Sequence, residues 1–97
     1  MENLDFACQE FSTAADCAAN FGVTKHQFVA MFDEANGCPA EDIDDILAGI
    51  EPRVAVRIEK RLGAGIRHLD GLSFEHTVDT FDEWCRESKF FGMLKND

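Results

Sequence analysis

Between Gly37 and Gly63 the sequence GCPAEDIDDILAGIEPRVAVRIEKRLG leaves the chain little freedom: it reads as two short helices joined by a tight corner. In the first, Ile43, Ile46 and Leu47 fall at i, i+3 and i+4 and form one apolar edge. Glu41, Asp42, Asp44 and Asp45 occupy the other positions, so the helix carries four carboxylates around that edge. Gly49 suits a left-handed helix terminus, and Pro52 suits the first position of the next helix, where a missing N–H costs nothing. The second helix turns Val54, Ala55, Ile58 and Leu62 inward and sets Arg53, Arg57, Lys60 and Arg61 along its outer side, with Gly63 expected to close it.

The remainder is read from the same signals. Asn3 to Phe11 predicts a first short helix, and Ser12 and Thr13 are candidate caps for a second that runs to about Phe21. Thr24 followed by Gln27 forms a capping box, starting a helix with Phe28, Met31, Phe32 and Ala35 on its inner face. After Gly63, the partial alternation of Leu72, Phe74, His76 and Val78 fits a short β-hairpin or irregular chain with one helical turn. Thr80 and Glu83 suggest another capping box, for a last helix to about residue 91 with Phe81, Trp84, Cys85 and Phe91 on its apolar face. Phe90, Phe91, Met93 and Leu94 of the tail are expected to dock on the domain or in a homodimer.

Charge separates the halves of the chain. The net charge is −10 over 97 residues, but residues 1–50 hold ten acids against Lys25 alone. That half cannot supply the phosphate-neutralising cations from which nucleic-acid binding draws much of its affinity. A hydrophobic content of 45% nevertheless predicts a folded chain, because disorder needs low hydrophobicity along with high charge. No apolar run approaches the length of a membrane span. The opening MENLDFACQEF is acidic and lacks the basic flank and apolar stretch of a secretion signal, so a cytoplasmic protein is the expectation. Cys8, Cys17, Cys38 and Cys85 form no CxxC pair and are read as buried, reduced thiols. No metal site, cofactor or catalytic motif is expected: His26, His68 and His76 have no recognisable nucleophile setting, and helix carboxylates in solvent give no sign of a raised pKa. The chain is read as no enzyme.

The layout resembles the second half of a helix-turn-helix domain of the Cro/lambda-repressor type, common among phage regulators and antitoxins. The residues that carry the resemblance are Gly37, the Ile43–Ile46–Leu47 edge, Gly49 and the run from Pro52 to Gly63. It implies a mainly all-α fold of five or six short helices in one domain, 1–97. The helix-turn-helix-like region covers about 24–63, and a C-terminal extension covers 64–97. In that family the helix corresponding to residues 39–49 enters the major groove, and here it bears four acids and no base. A second register, AADCAANFGVTKHQFVAMF, would instead start the recognition helix with Lys25, His26 and Gln27.

Two functional expectations follow. The first is an acidic phage-type inhibitor whose Asp33, Glu34, Glu41, Asp42, Asp44 and Asp45 mimic nucleic acid. This face would occupy the groove of a nucleic-acid-binding protein or complex; in size and acidity the chain is similar to anti-CRISPR proteins and other DNA mimics. The second, from the helix-turn-helix resemblance, is a dimeric transcription regulator or antitoxin. It would bind DNA through Lys25, His26 and Gln27 or through Arg53, Arg57, Lys60 and Arg61.

Overall fold

A stripe of small residues with one large ring sets the architecture. Ala7, Phe11, Ala14, Ala15 and Ala18 recur at helical spacing and are all fully buried. They lie on α1 (Glu2–Asn20), one helix where two short ones were expected. The computed structural model describes residues 2–96, the side chain of Glu2 excepted. Ser12 and Thr13 do not cap a helix; they sit within α1, and Thr13 Oγ1 donates to the carbonyl of Gln9 one turn back. The stripe runs through them without a break, so burial outweighs the local preference of Ser and Thr for caps.

The partner of α1 is α4 (Pro52–Arg67). Val54, Ile58, Leu62 and Gly65 make its buried edge, continued by Leu69 just beyond its end. Pro52 opens this helix as expected, but Gly63 does not close it. The helix passes through Gly63, so the boundary read at residue 63 falls inside an element. The buried edge continues past Gly63, with Gly65 at a point where α4 comes close to α1. A Cβ there would lie 2.5 Å from Phe11 Cε1 and 3.1 Å from the Ala7 carbonyl oxygen, so only glycine lets the two backbones approach this closely.

Between these two helices in sequence come α2 (Lys25–Ala35) and α3 (Ile43–Ile46). The capping box of α2 forms as read: Thr24 Oγ1 accepts from the Gln27 N–H, and Gln27 Oε1 accepts from the Thr24 N–H. Phe28, Met31 and Phe32 are buried along it. α3 is shorter than the expected helix. Glu41 and Asp42 precede it in a turn, leaving one helical turn that ends at Ile46, before Gly49 at φ +91°. Asp42 stands at its N-cap without a side-chain capping bond, and adjacent carboxylates repel, so nothing extends the helix toward Gly37.

The hairpin expected after residue 63 is not formed; the described residues contain six helices and no sheet. After a turn, α5 (Phe74–Glu87) starts at Ser73, whose Oγ accepts from the His76 N–H. Thr80 lies inside this helix and donates to the His76 carbonyl, so it is not a cap. The apparent alternation at residues 72–78 is the start of a helix whose buried positions are Thr77, Phe81 and Trp84. Ser88 ends α5 and caps α6 (Lys89–Gly92), where a single longer helix was expected.

The tail docks on the domain. Leu94 is buried, Phe90 and Phe91 are half-buried, Met93 is exposed, and the Lys95 carbonyl accepts from the Lys25 N–H at 2.9 Å. At the centre, Phe32 and Phe81 stack in parallel with centroids 3.8 Å apart. Phe11 meets Phe32, Phe81 and Trp84 edge-on at 5.9, 5.3 and 5.7 Å. Residues 64–96 thus contribute to the same core as the rest of the chain and are not appended to it.

Candidate functional site

The four carboxylates of the α3 corner reach solvent. Glu41, Asp42, Asp44 and Asp45 are exposed, while the Ile43, Ile46 and Leu47 edge between them is half-buried. The corner is held from α2: the Gln27 side-chain amide donates to the Ile46 carbonyl at 3.0 Å. Among the described side chains the ion pairs within 4 Å are Arg53–Glu51 and Arg61–Glu10. Neither involves the α3 acids. The outer stripe of α4 therefore spends Arg53 and Arg61 on other partners and leaves these four charges unneutralised at close range.

Asp33 and Glu34 stand in different surroundings. Both are half-buried near the end of α2. Burial, and then the Asp82 carboxylate on α5, push the Asp33 pKa up. Across from Glu34, burial and then the Glu34 charge raise that of Glu59 on α4. Glu34 Oε2 is buried without a hydrogen-bond partner among the described residues. Lys60 lines the same α2–α4 hollow as Glu34 and Glu59 but makes no ion pair within 4 Å among the described side chains. Glu59 and Asp82 were missed in the sequence. Glu59 had a signal, since it shares the helix edge of Ala55 and Leu62 at i, i+4, i+7 spacing; Asp82 is exposed and had none.

These raised values carry a sign for stability. A carboxylate harder to ionise in the folded state favours folding below its unfolded pKa, and that contribution is lost as pH rises through its folded pKa. Glu59→Gln is therefore expected to stabilise the fold at neutral pH by a fraction of ~1 kcal/mol, with a correspondingly small rise in Tm, solvent screening keeping the gain small. The gain should fade as pH falls into the ordinary carboxylate range. Thermal melts of both proteins across that range check it, and a neutral-pH loss of stability would refute it.

The cations of the alternative site are partly engaged. Lys25 is half-buried with Nζ 5.3 Å from the Phe91 ring centroid, and its backbone N–H is bonded to Lys95. Gln27 uses its side-chain oxygen in the capping box and its side-chain nitrogen on α3. His26, Arg53, Arg57, Lys60 and Arg61 remain exposed.

The thiols are free; Cys38 is exposed, contrary to the expectation of burial, and Cys8, Cys17 and Cys85 are half-buried. Burial, then the charges of Asp5, Glu83 and Glu87, raise the Cys8 pKa. Burial, then Asp82, push Cys85 to about 12. Both stay protonated at neutral pH, the less nucleophilic form. No three His, Cys, Asp or Glu side chains among the described residues are grouped to hold a metal ion. No described helix is long and apolar enough to cross a membrane.

Fold and surface together define an all-α domain with an exposed acidic corner that makes no ion pair within 4 Å among the described side chains. No protein-family model, curated protein or solved structure matches the chain.

Proposed function

We propose that this chain is a non-enzymatic binding module whose α3 corner occupies the basic groove of a nucleic-acid-binding protein, as a phage-type, anti-CRISPR-like DNA mimic does. The observation behind this reading is that Glu41, Asp42, Asp44 and Asp45 are exposed and held on a short corner, without an ion pair within 4 Å among the described side chains. Uncompensated charge of one sign speeds encounter with a surface of the other sign, increasingly so at low salt. Asp33 and Glu34, half-buried against Asp82 of α5 and Glu59 of α4, stand apart from this contact face and add only to the overall negative field.

The test is a variant in which Glu41 becomes Gln and Asp42, Asp44 and Asp45 become Asn. The carboxylates of these exposed positions make no ion pair within 4 Å among the described side chains, so the variant is expected to melt as the parent does. Capture of nucleic-acid-binding proteins from a nuclease-treated bacterial lysate should drop about tenfold or more, as four exposed charge contacts at a few tenths to 1 kcal/mol each imply. Capture that survives in the folded variant would sink the reading. A random DNA duplex retarded by the parent protein would instead favour DNA binding through Arg53, Arg57, Lys60 and Arg61.

A further inference from the structure

A furrow runs between the first turns of α1 and the second half of α5, and extends to the turn after α4. One hollow, lined by Leu4, Trp84 and Phe90 with Glu83 and Glu87 at its edge, meets a second, which extends to Leu72, at Leu4 and Thr80. Leu4 and Leu72 are large apolar side chains left exposed, so the floor is apolar surface that the fold does not cover. Its border is predominantly acidic. Glu83 and Glu87 are exposed beside the first hollow, Asp70 lines the second, and Lys89 is the one lysine or arginine on either. The charges of Glu83 and Glu87 also bear on Cys8 inside the furrow, which places their field over its floor.

The shape and charge specify the occupant. The first hollow is walled by helices and the second is completed by the turn at residues 68–72; no strand lies among the described residues, so the furrow offers no open sheet edge for an added strand. A helix satisfies its own backbone and needs only side-chain contacts, with apolar residues at i, i+3, i+4 and i+7. The acidic border calls for Lys or Arg beside that apolar edge. This chain's most basic helix, α4, does not fit: its apolar edge is buried in the core, and Val56 is its one large hydrophobic left exposed. We propose that the furrow docks a basic amphipathic helix of a different protein. Its apolar edge would rest on Leu4, Leu72 and Trp84, and its cations would face Glu83 and Glu87.

Trp84, the chain's single tryptophan, reports on this directly. The probe is a synthetic Leu/Lys peptide with helical amphipathic spacing and no Trp or Tyr, titrated against the full chain while Trp84 emission is followed. The emission should shift saturably, and a scrambled peptide of the same composition should bind about tenfold more weakly, the scale of one or two lost apolar anchors. Glu83→Lys with Glu87→Lys, both at exposed positions, should weaken the amphipathic peptide about tenfold. Circular dichroism checks that this variant folds. The α3 variant described above should bind it unchanged, since the furrow shares no residue with that corner. This separates the furrow from the mimicry reading.

Equal binding of the scrambled peptide would overturn the proposal, as would loss of binding in the α3 variant with the furrow variant unaffected. A parent protein that sediments as a dimer, and becomes monomeric in the furrow variant, would also overturn it by showing a second copy in the furrow.

Discussion

Replacing Phe11 with alanine should cost about 3–5 kcal/mol of stability, the range for removing a fully buried aromatic side chain. Phe11 has no solvent exposure and lies edge-on to three other aromatic rings, so its loss leaves a cavity bordered by rigid neighbours. Each edge-to-face pair adds about 0.5–1.5 kcal/mol beyond the area buried, which places the expected cost toward the upper part of the range. A domain of this size has little stability in reserve, since typical totals are about 5–15 kcal/mol. Denaturant melts followed by circular dichroism read the change. A loss below about 1 kcal/mol, the level of an ordinary surface substitution or a little more, would show that Phe11 is not central to the core.

Gly65→Val is the second large effect, and it works from the opposite face of the same contact. The new Cβ would start 2.5 and 2.8 Å from Phe11 ring atoms, inside any real carbon–carbon contact. The ring cannot swing aside because Phe32, Phe81 and Trp84 surround it. Valine gains helix propensity over glycine by a few tenths of a kcal/mol, whereas overpacking costs about 1–3 kcal/mol and more when the backbones must part. The net is expected to be a loss of about 2–3 kcal/mol. Gly65→Ala, with one carbon added, should lose less; a variant with valine that melts at or above the parent would contradict the close packing of α1 on α4.

Sequence patterns served well where one local force acts alone. The Thr24–Gln27 box, the Pro52 start and the buried faces of α2 and α4 were legible because capping and apolar periodicity agree there. They misled where a long-range contact overrides a local preference. Ser12, Thr13 and Thr80 look like caps, yet each sits within a helix whose apolar edge continues past it. Gly63 looks like a terminus, but the buried edge of α4 runs on through Gly65 to Leu69, and the contact of Gly65 with Phe11 is one no local window contains. Leu72, Phe74, His76 and Val78 imitate a strand by alternation alone; the first three are exposed, and the face this helix buries runs through Thr77, Phe81 and Trp84 instead.

The candidate site divides in the same way. Exposure of Glu41, Asp42, Asp44 and Asp45 could be anticipated from their placement opposite an apolar edge. The pairings of Asp33 with Asp82 and of Glu34 with Glu59 could not, because they depend on how α4 and α5 pack around α2. Nor did any sequence pattern reveal that Gln27 would brace the acidic corner, since its bond to Ile46 spans the whole of α2 and the loop beyond it.

The seam between α1 and α4 has a kinetic side. Phe11 and Gly65 meet across about fifty residues of intervening chain, so the contact forms only after a long loop has closed, at an entropic cost that local helices do not face. In a folded protein most of the stability of such helices comes from the faces they bury. α1 and α4 therefore draw much of their stability from each other. That makes folding of this all-helical chain a matter of topology, dependent on one distant encounter as much as on fast local coiling.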